Sequence, residues 1–172
     1  TWCRSFPDFQ PVGARLMAWQ DDPVLTVLAF DAGARRIGVA VGNSLSASAR
    51  PLGVLEVFEN GPNWPALDAW MRDWMPNGLV VGNPLTLEGE SQPARDNAIA
   101  FARALHARYH KPISLMDERN SSIEAAQRFA ASRARGEVKR HHADQLDAWA
   151  AVIILERWFL QPHNRTEWNQ HP

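Results

Sequence analysis

The chain has 172 residues, 45% hydrophobic and 22% charged, which fits one folded domain with a sizeable core and excludes a disordered or fibrous chain. Its net charge of −1 gives no global pull toward nucleic acid, so any phosphate binding must rest on a local patch. Cys3 is the only cysteine, excluding an intrachain disulfide and a cysteine-based zinc site; with no secretory signal and no apolar run of the roughly 18–20 residues that cross a bilayer, a cytoplasmic, non-membrane protein is expected.

Residues 1–22 show no period of 2 or 3.6 and read as an N-terminal extension. Met17 stands just before the first strong strand, so residues 1–16 are expected to lie upstream of the natural start and to add little to the core. The domain itself is expected over residues 23–160, with 161–172 as a polar C-terminal tail.

VLTVLAF (Val24 to Phe30) is a nearly unbroken apolar run, as expected of a central strand covered on both faces, and it ends at Asp31. IGVAV (Ile37 to Val41) and LGVLEVF (Leu52 to Phe58) follow at spacings that suit antiparallel neighbours. The spacing of Leu67, Trp70, Met71 and Trp74 predicts a helix over 63–75, stopped by Pro76, Asn77 and Gly78. LVVG (Leu79 to Gly82) is a fourth, buried strand. Ser91 to His110 is an amphipathic helix with Ala94, Ala98, Phe101 and Leu105 as its stripe, and Pro112 to about Met116 is a fifth strand. Ser121 and Glu124 form a capping box for a helix through about Ala131, and the last helix runs from about Ala143 to Phe159. A three-stranded antiparallel meander followed by helix–strand alternation means an α/β fold: a mixed five-stranded sheet with helices on both faces.

Three carboxylates stand in costly places. Asp31 follows a central strand, and in open α/β sheets ligands bind at the carboxyl ends of strands; the bland alternative is a turn-capping Asp. Asp117 and Glu118 close the fifth strand, and because strand side chains alternate, only one of them can share the face of Asp31. Glu118 is taken as that one, against the alternative of a solvated loop or an ion pair with Arg119. Asp147 interrupts an apolar helical stripe formed by Ala143, Ala151, Ile154 and Trp158, and a buried carboxylate needs a cation, a metal or a donor. An ordinary first-turn Asp favoured by the helix dipole is the competing explanation, and it also suits Asp144.

Asp31, Glu118 and Asp147 together would make an all-oxygen site suited to Mg²⁺ or Mn²⁺, with Asp117 and Asp144 as additional carboxylates. Such ions can activate water and stabilise the leaving oxygen in phosphodiester cleavage. Between positions 128 and 140, Arg128, Arg133, Arg135, Lys139 and Arg140 face a single acid, Glu137; this stretch, with Arg35, Arg36 and Arg119 beside the carboxylates, is the candidate nucleic-acid surface, and a solvated charged loop is the alternative. Neither H-E-x-x-H nor G-x-S-x-G is present. Trp64, Trp70 and Trp74 fall at helical spacing and read as packing.

FDAGARRIGVAVG (Phe30 to Gly42), ARPLGVL (Ala49 to Leu55), VVGNPLTLEGE (Val80 to Glu90), DERNSSIEA (Asp117 to Ala125) and DAWAAVIILERWF (Asp147 to Phe159) resemble, in order, the YqgF/RuvX family of RNase H-like proteins. The resemblance implies a bacterial cytoplasmic nuclease, described for the family both as a Holliday junction resolvase and as a nuclease that matures the 5′ end of pre-16S rRNA. The family's acidic positions map onto Asp31, Glu118 and Asp147. Two positions depart from its pattern: Ala34 stands where Thr or Ser is usual, and Asn120 where a hydrophobic residue is usual. The expected partner is structured RNA, such as pre-rRNA in ribosomal particles, or branched DNA, bound by a monomer or a homodimer. A non-catalytic assembly factor is the rival from another class, and Ala34 is its best support. A sugar-kinase-like ATPase, suggested by D-x-G alone, would need a second such domain, for which this chain is too short.

Overall fold

The computed structural model describes residues 24–84, 93–117, 121–136 and 145–168. Strand β1 (Thr26–Ala32) lies inside the sheet, and Val27, Leu28, Ala29 and Phe30 are all fully buried, which is why its sequence is apolar without alternation. It pairs antiparallel with β2 (Arg36–Asn43), which pairs antiparallel with β3 (Ser48–Phe58). On its other side β1 pairs in parallel with β5 (Gly78–Asn83), and β5 with β6 (Ile113–Asp117).

The sheet has seven strands in the order β4-β3-β2-β1-β5-β6-β7, so the expectation of five is corrected by two short edge strands. Strand β4 is only Gly61–Pro62 against β3, and β7 is Arg165–Glu167 against β6. At two and three residues neither is long enough to show a period. Strand β7 follows a 3₁₀ turn at Pro162–Asn164, within the stretch expected to be a polar tail. Arg165 anchors it: the guanidinium stacks 3.9 Å from the Trp158 ring centroid and donates to the Trp158 carbonyl.

Helix α1 (Trp64–Trp74) starts where the Asn63 side chain accepts from the Ala66 N–H and ends at Met75 in the left-handed conformation, one residue before Pro76. With α2 (Pro93–Tyr109) it covers one face of the sheet, burying Leu28, Phe30, Ile37, Leu55, Leu79 and Phe101 together. Helix α4 (Gln145–Leu160) covers the opposite face, packing on Val27, Ala29, Val80 and Met116 through Ile154, Leu155 and Trp158. Helix α3 (Ser121–Ala134) runs three residues past its expected end and packs on α4. Among the described residues no helix is long and apolar enough to cross a membrane.

Candidate active site

The β1–β2 turn sets the first carboxylate. The Gly33 N–H donates to the Arg36 carbonyl at 3.0 Å, and a Cβ at position 33 would come 2.5 Å from that oxygen, so the D-x-G sequence closes tightly only with glycine. In β1, Val27 and Ala29 face α4 whereas Leu28 and Phe30 face α1 and α2. Alternation therefore places Asp31, partly buried at the carboxyl end of the strand, on the α4 face.

Asp147 reaches the same place from α4. Asp31 is paired across the sheet with Gly38, and a Cβ on Gly38 would lie 1.9 Å from the Asp147 carbonyl oxygen. Only the missing side chain lets the first turn of α4 rest on β2 beside Asp31. Asp147 also meets Arg36, the first residue of β2, whose Nε lies 3.1 Å from Asp147 Oδ2. Arg36 and Gly38 share the α4 face, two residues apart.

Strand β6 sets the facing of Asp117. Ile113 and Leu115 face the α1 and α2 side, Met116 faces α4, and the Ser114 hydroxyl accepts from Trp158 Nε1 of α4 at 3.0 Å. Asp117 is therefore on the face opposite Asp31, in register with Asn83 at the end of β5, whose Oδ1 is buried without a hydrogen bond among the described residues. Glu118, Arg119, Lys139, Arg140 and Asp144 lie outside the described residues, as does Asn120. Among the described residues no three His, Cys, Asp or Glu side chains form a metal-holding group.

The basic residues go different ways. Arg35 is exposed in the β1–β2 turn, next to the exposed Ala34. Arg128 is held by Glu156 of α4 at 2.6 Å and lies 3.9 Å from Glu124, while Arg157 of α4 holds Glu124 at 2.8 Å. This ladder ties α3 to α4 and commits the Arg128 charge. Arg133 covers the Phe129 ring, and Arg135 donates to Ser132 Oγ at 3.3 Å. Gly38 and Asn83 were not picked out by sequence reasoning, nor was the H-x-x-x-H spacing of His106 and His110 on the other side of the sheet, where the rings are 6.4 Å apart. A four-residue spacing could have flagged the histidines; nothing local marks Gly38.

The residues brought together suit a hard divalent cation. Asp31 and Asp147 offer only oxygen, and the space left by Gly38 admits the helix that carries the second of them.

A mixed sheet with a leading antiparallel meander, helices on both faces and acidic residues at the end of its first strand and in the first turn of α4 has the RNase H-like fold seen in RuvC. The solved Thermus thermophilus RuvC in complex with Holliday junction substrate has this fold, with a TM-score of 0.51 and 14% identity over 84% of this chain and 99% of that one. Residues 25–161 match the family described as "RuvX: Holliday junction resolvase", and the chain belongs to that family. A protein of Xanthomonas campestris pv. campestris (strain B100) named "Putative pre-16S rRNA nuclease" is 57% identical over 144 residues, 84% of this chain and 93% of its own length. One of the same name from Xanthomonas axonopodis pv. citri (strain 306) is 57% identical over 141 residues, 82% of this chain and 91% of its own.

Proposed function

We propose that this protein is a metal-dependent endonuclease that hydrolyses phosphodiester bonds in structured RNA, acting in the maturation of the 5′ end of pre-16S rRNA in the cytoplasm. The observation that carries the reading is the convergence of Asp31 and Asp147 at Gly38, at the carboxyl end of a central strand. The names of the Xanthomonas relatives give the substrate class. Asp31 and Asp147 would hold Mg²⁺ or Mn²⁺, with Glu118 as the third carboxylate; the opposite facing of Asp117 supports Glu118 as the member of the DER motif at this site. A metal held by these residues would supply activation of a water for phosphodiester hydrolysis and charge stabilisation for the leaving oxygen. Arg35, Arg133 and Arg135, with Arg119, Lys139 and Arg140, bind the phosphate backbone. Arg128 serves chiefly to join α3 to α4.

The test is cleavage of a precursor rRNA 5′ end beside a four-way DNA junction, in Mg²⁺ and in Mn²⁺, by the parent protein and by Asp31→Asn. Asn keeps the shape and removes the charge, so cleavage should fall at least about 10²-fold while RNA binding holds or tightens. If Asp31→Asn cleaves as fast as the parent, the nuclease reading is lost and the assembly-factor reading replaces it. Preferential cutting of the junction would move the substrate to branched DNA, the reading favoured by the family's description.

A further inference from the structure

The Arg36–Asp147 pair is more than a surface ion pair. Asp147 Oδ2 is a buried oxygen in the first turn of α4, and a carboxylate oxygen taken out of water needs a countercharge. Arg36 Nε provides one at 3.1 Å, from a side chain that is itself 50% exposed. The cation thus reaches a buried anion from the solvent side, at the mouth of the site. It stands on the very carboxylate that the proposed function gives to the metal, and the inference rests on that reading.

A guanidinium and a divalent cation repel, and within a few ångströms of each other in a partly desolvated site that repulsion is too large to ignore. An oxygen in ion-pair contact with Arg36 therefore binds a metal only if Arg36 withdraws or if its repulsion is overcome. Arg36 has somewhere to go: it begins β2 next to the exposed Arg35, and its planar fork matches the phosphate of a nucleic-acid backbone. Nucleic acid would thus supply a new partner for the guanidinium and clear Asp147 for the metal.

We propose that Arg36 is a built-in countercation for Asp147 that competes with the divalent metal until a nucleic-acid phosphate draws it away, so that metal and substrate bind cooperatively. Arg36 is here a positioning residue, acting through Asp147. Because binding coupling is reciprocal, Mn²⁺ should tighten RNA binding by the same factor that RNA tightens Mn²⁺ binding. Removing Arg36 should reduce that factor from both sides.

The experiment is Mn²⁺ titration of the full chain, followed by electron paramagnetic resonance, for the parent, Arg36→Gln, Arg36→Lys and Asp31→Asn, each with and without a short RNA duplex. Circular dichroism checks the fold, and Arg36→Lys keeps the test alive if Gln is not tolerated. Without RNA, Arg36→Gln should bind Mn²⁺ about tenfold more tightly than the parent, since a competing charge a few ångströms away has gone. Arg36→Lys should fall between them, because an ammonium holds the carboxylate less firmly than a fork. Adding RNA should tighten Mn²⁺ binding in the parent and do so much less in Arg36→Gln. A merely structural Arg36 would give the opposite sign, with its loss loosening the site. Mn²⁺ binding that is lost in Asp31→Asn but unchanged or weaker in Arg36→Gln overturns this inference and leaves the nuclease reading standing. Parent protein that binds no Mn²⁺ even with RNA overturns both.

Discussion

On the α1 and α2 side of the sheet, large rings fill the space: Phe30 meets Phe101 edge to face at 5.3 Å, and Trp64 stacks on Phe101 at 6.3 Å. On the α4 side the sheet instead offers Gly38, Ala40 and Gly42, and a Cβ on Gly42 would lie 2.8 Å from Leu155 and 2.9 Å from Phe159. The two faces solve different problems. Bulky aromatics bury area and hold the sheet to its helices, while small residues let a helix come close enough to set one carboxylate beside another. Stability and site geometry are thereby assigned to opposite faces of one sheet, so substitutions should damage one without the other.

The largest effect is expected from Gly38→Ala. The new methyl would occupy the position of the Asp147 carbonyl, 1.9 Å away, and the obstacle is backbone, which cannot swing aside as a flexible side chain does. Either α4 lifts from β2 or the protein fails to fold, at a cost upwards of about 5 kcal/mol. Urea unfolding measures the loss, and protein that still folds should have lost cleavage through displacement of Asp147. Full activity with parental stability would break the account of how the site is assembled.

Phe101→Ala tests the other face. It removes a fully buried ring that touches Phe30 and Trp64, and should cost about 3–5 kcal/mol of stability. Cleavage per folded molecule, measured well below the melting temperature, should stay as in the parent, because Phe101 packs on the face of the sheet opposite Asp31 and Asp147. A drop in turnover with the fold intact would show that the faces are coupled.

How much of this was legible in the sequence follows from the range of each interaction. Strands β1, β5 and β6 stand out because both of their faces are buried, which writes apolar runs into the chain. Asp31 and Asp147 were legible as charges where apolar residues belong. Their meeting place was not, because a glycine inside a strand carries no mark of the helix that will lie on it, and that helix begins more than a hundred residues later. The choice between Asp117 and Glu118 could be posed from alternation, but placing Asp117 on the face opposite Asp31 needed the facing of Met116. Strand β7 was hidden because its three residues are polar and its hold on the protein comes from Arg165 stacking on Trp158. The basic stretch was readable as charge, yet the commitment of Arg128 to Glu156, 28 residues away, is tertiary.

The smallest effect is expected where the stabilising face meets solvent. Asp68 of α1 accepts from Arg108 Nη2 at 2.6 Å, from Arg108 Nε at 2.9 Å and from the Tyr109 hydroxyl at 2.7 Å, and the Arg108 guanidinium lies over the Trp64 ring at 5.1 Å. The fork of Arg108, aided by the Tyr109 hydroxyl, holds the Asp68 carboxyl below its ordinary 3.8 despite partial burial. Asp68 and Arg108 side chains are 32% and 41% exposed, so water and salt weaken the pair, and Asp68→Asn should cost only about 1 kcal/mol at neutral pH. The sign of its pH dependence follows from the lowered pKa. The ionised form is favoured by folding, so its contribution is fully present above the ordinary carboxylate range and is lost as pH falls through the folded value. Urea unfolding of the parent and of Asp68→Asn should therefore differ at pH 7 and converge in acid, and the difference at pH 7 should shrink in 1 M salt, where the screening length is about 3 Å. A gap that stays constant with pH and salt would mean that Asp68 contributes shape alone, and that α1 and α2 are joined by their rings and not by their charges.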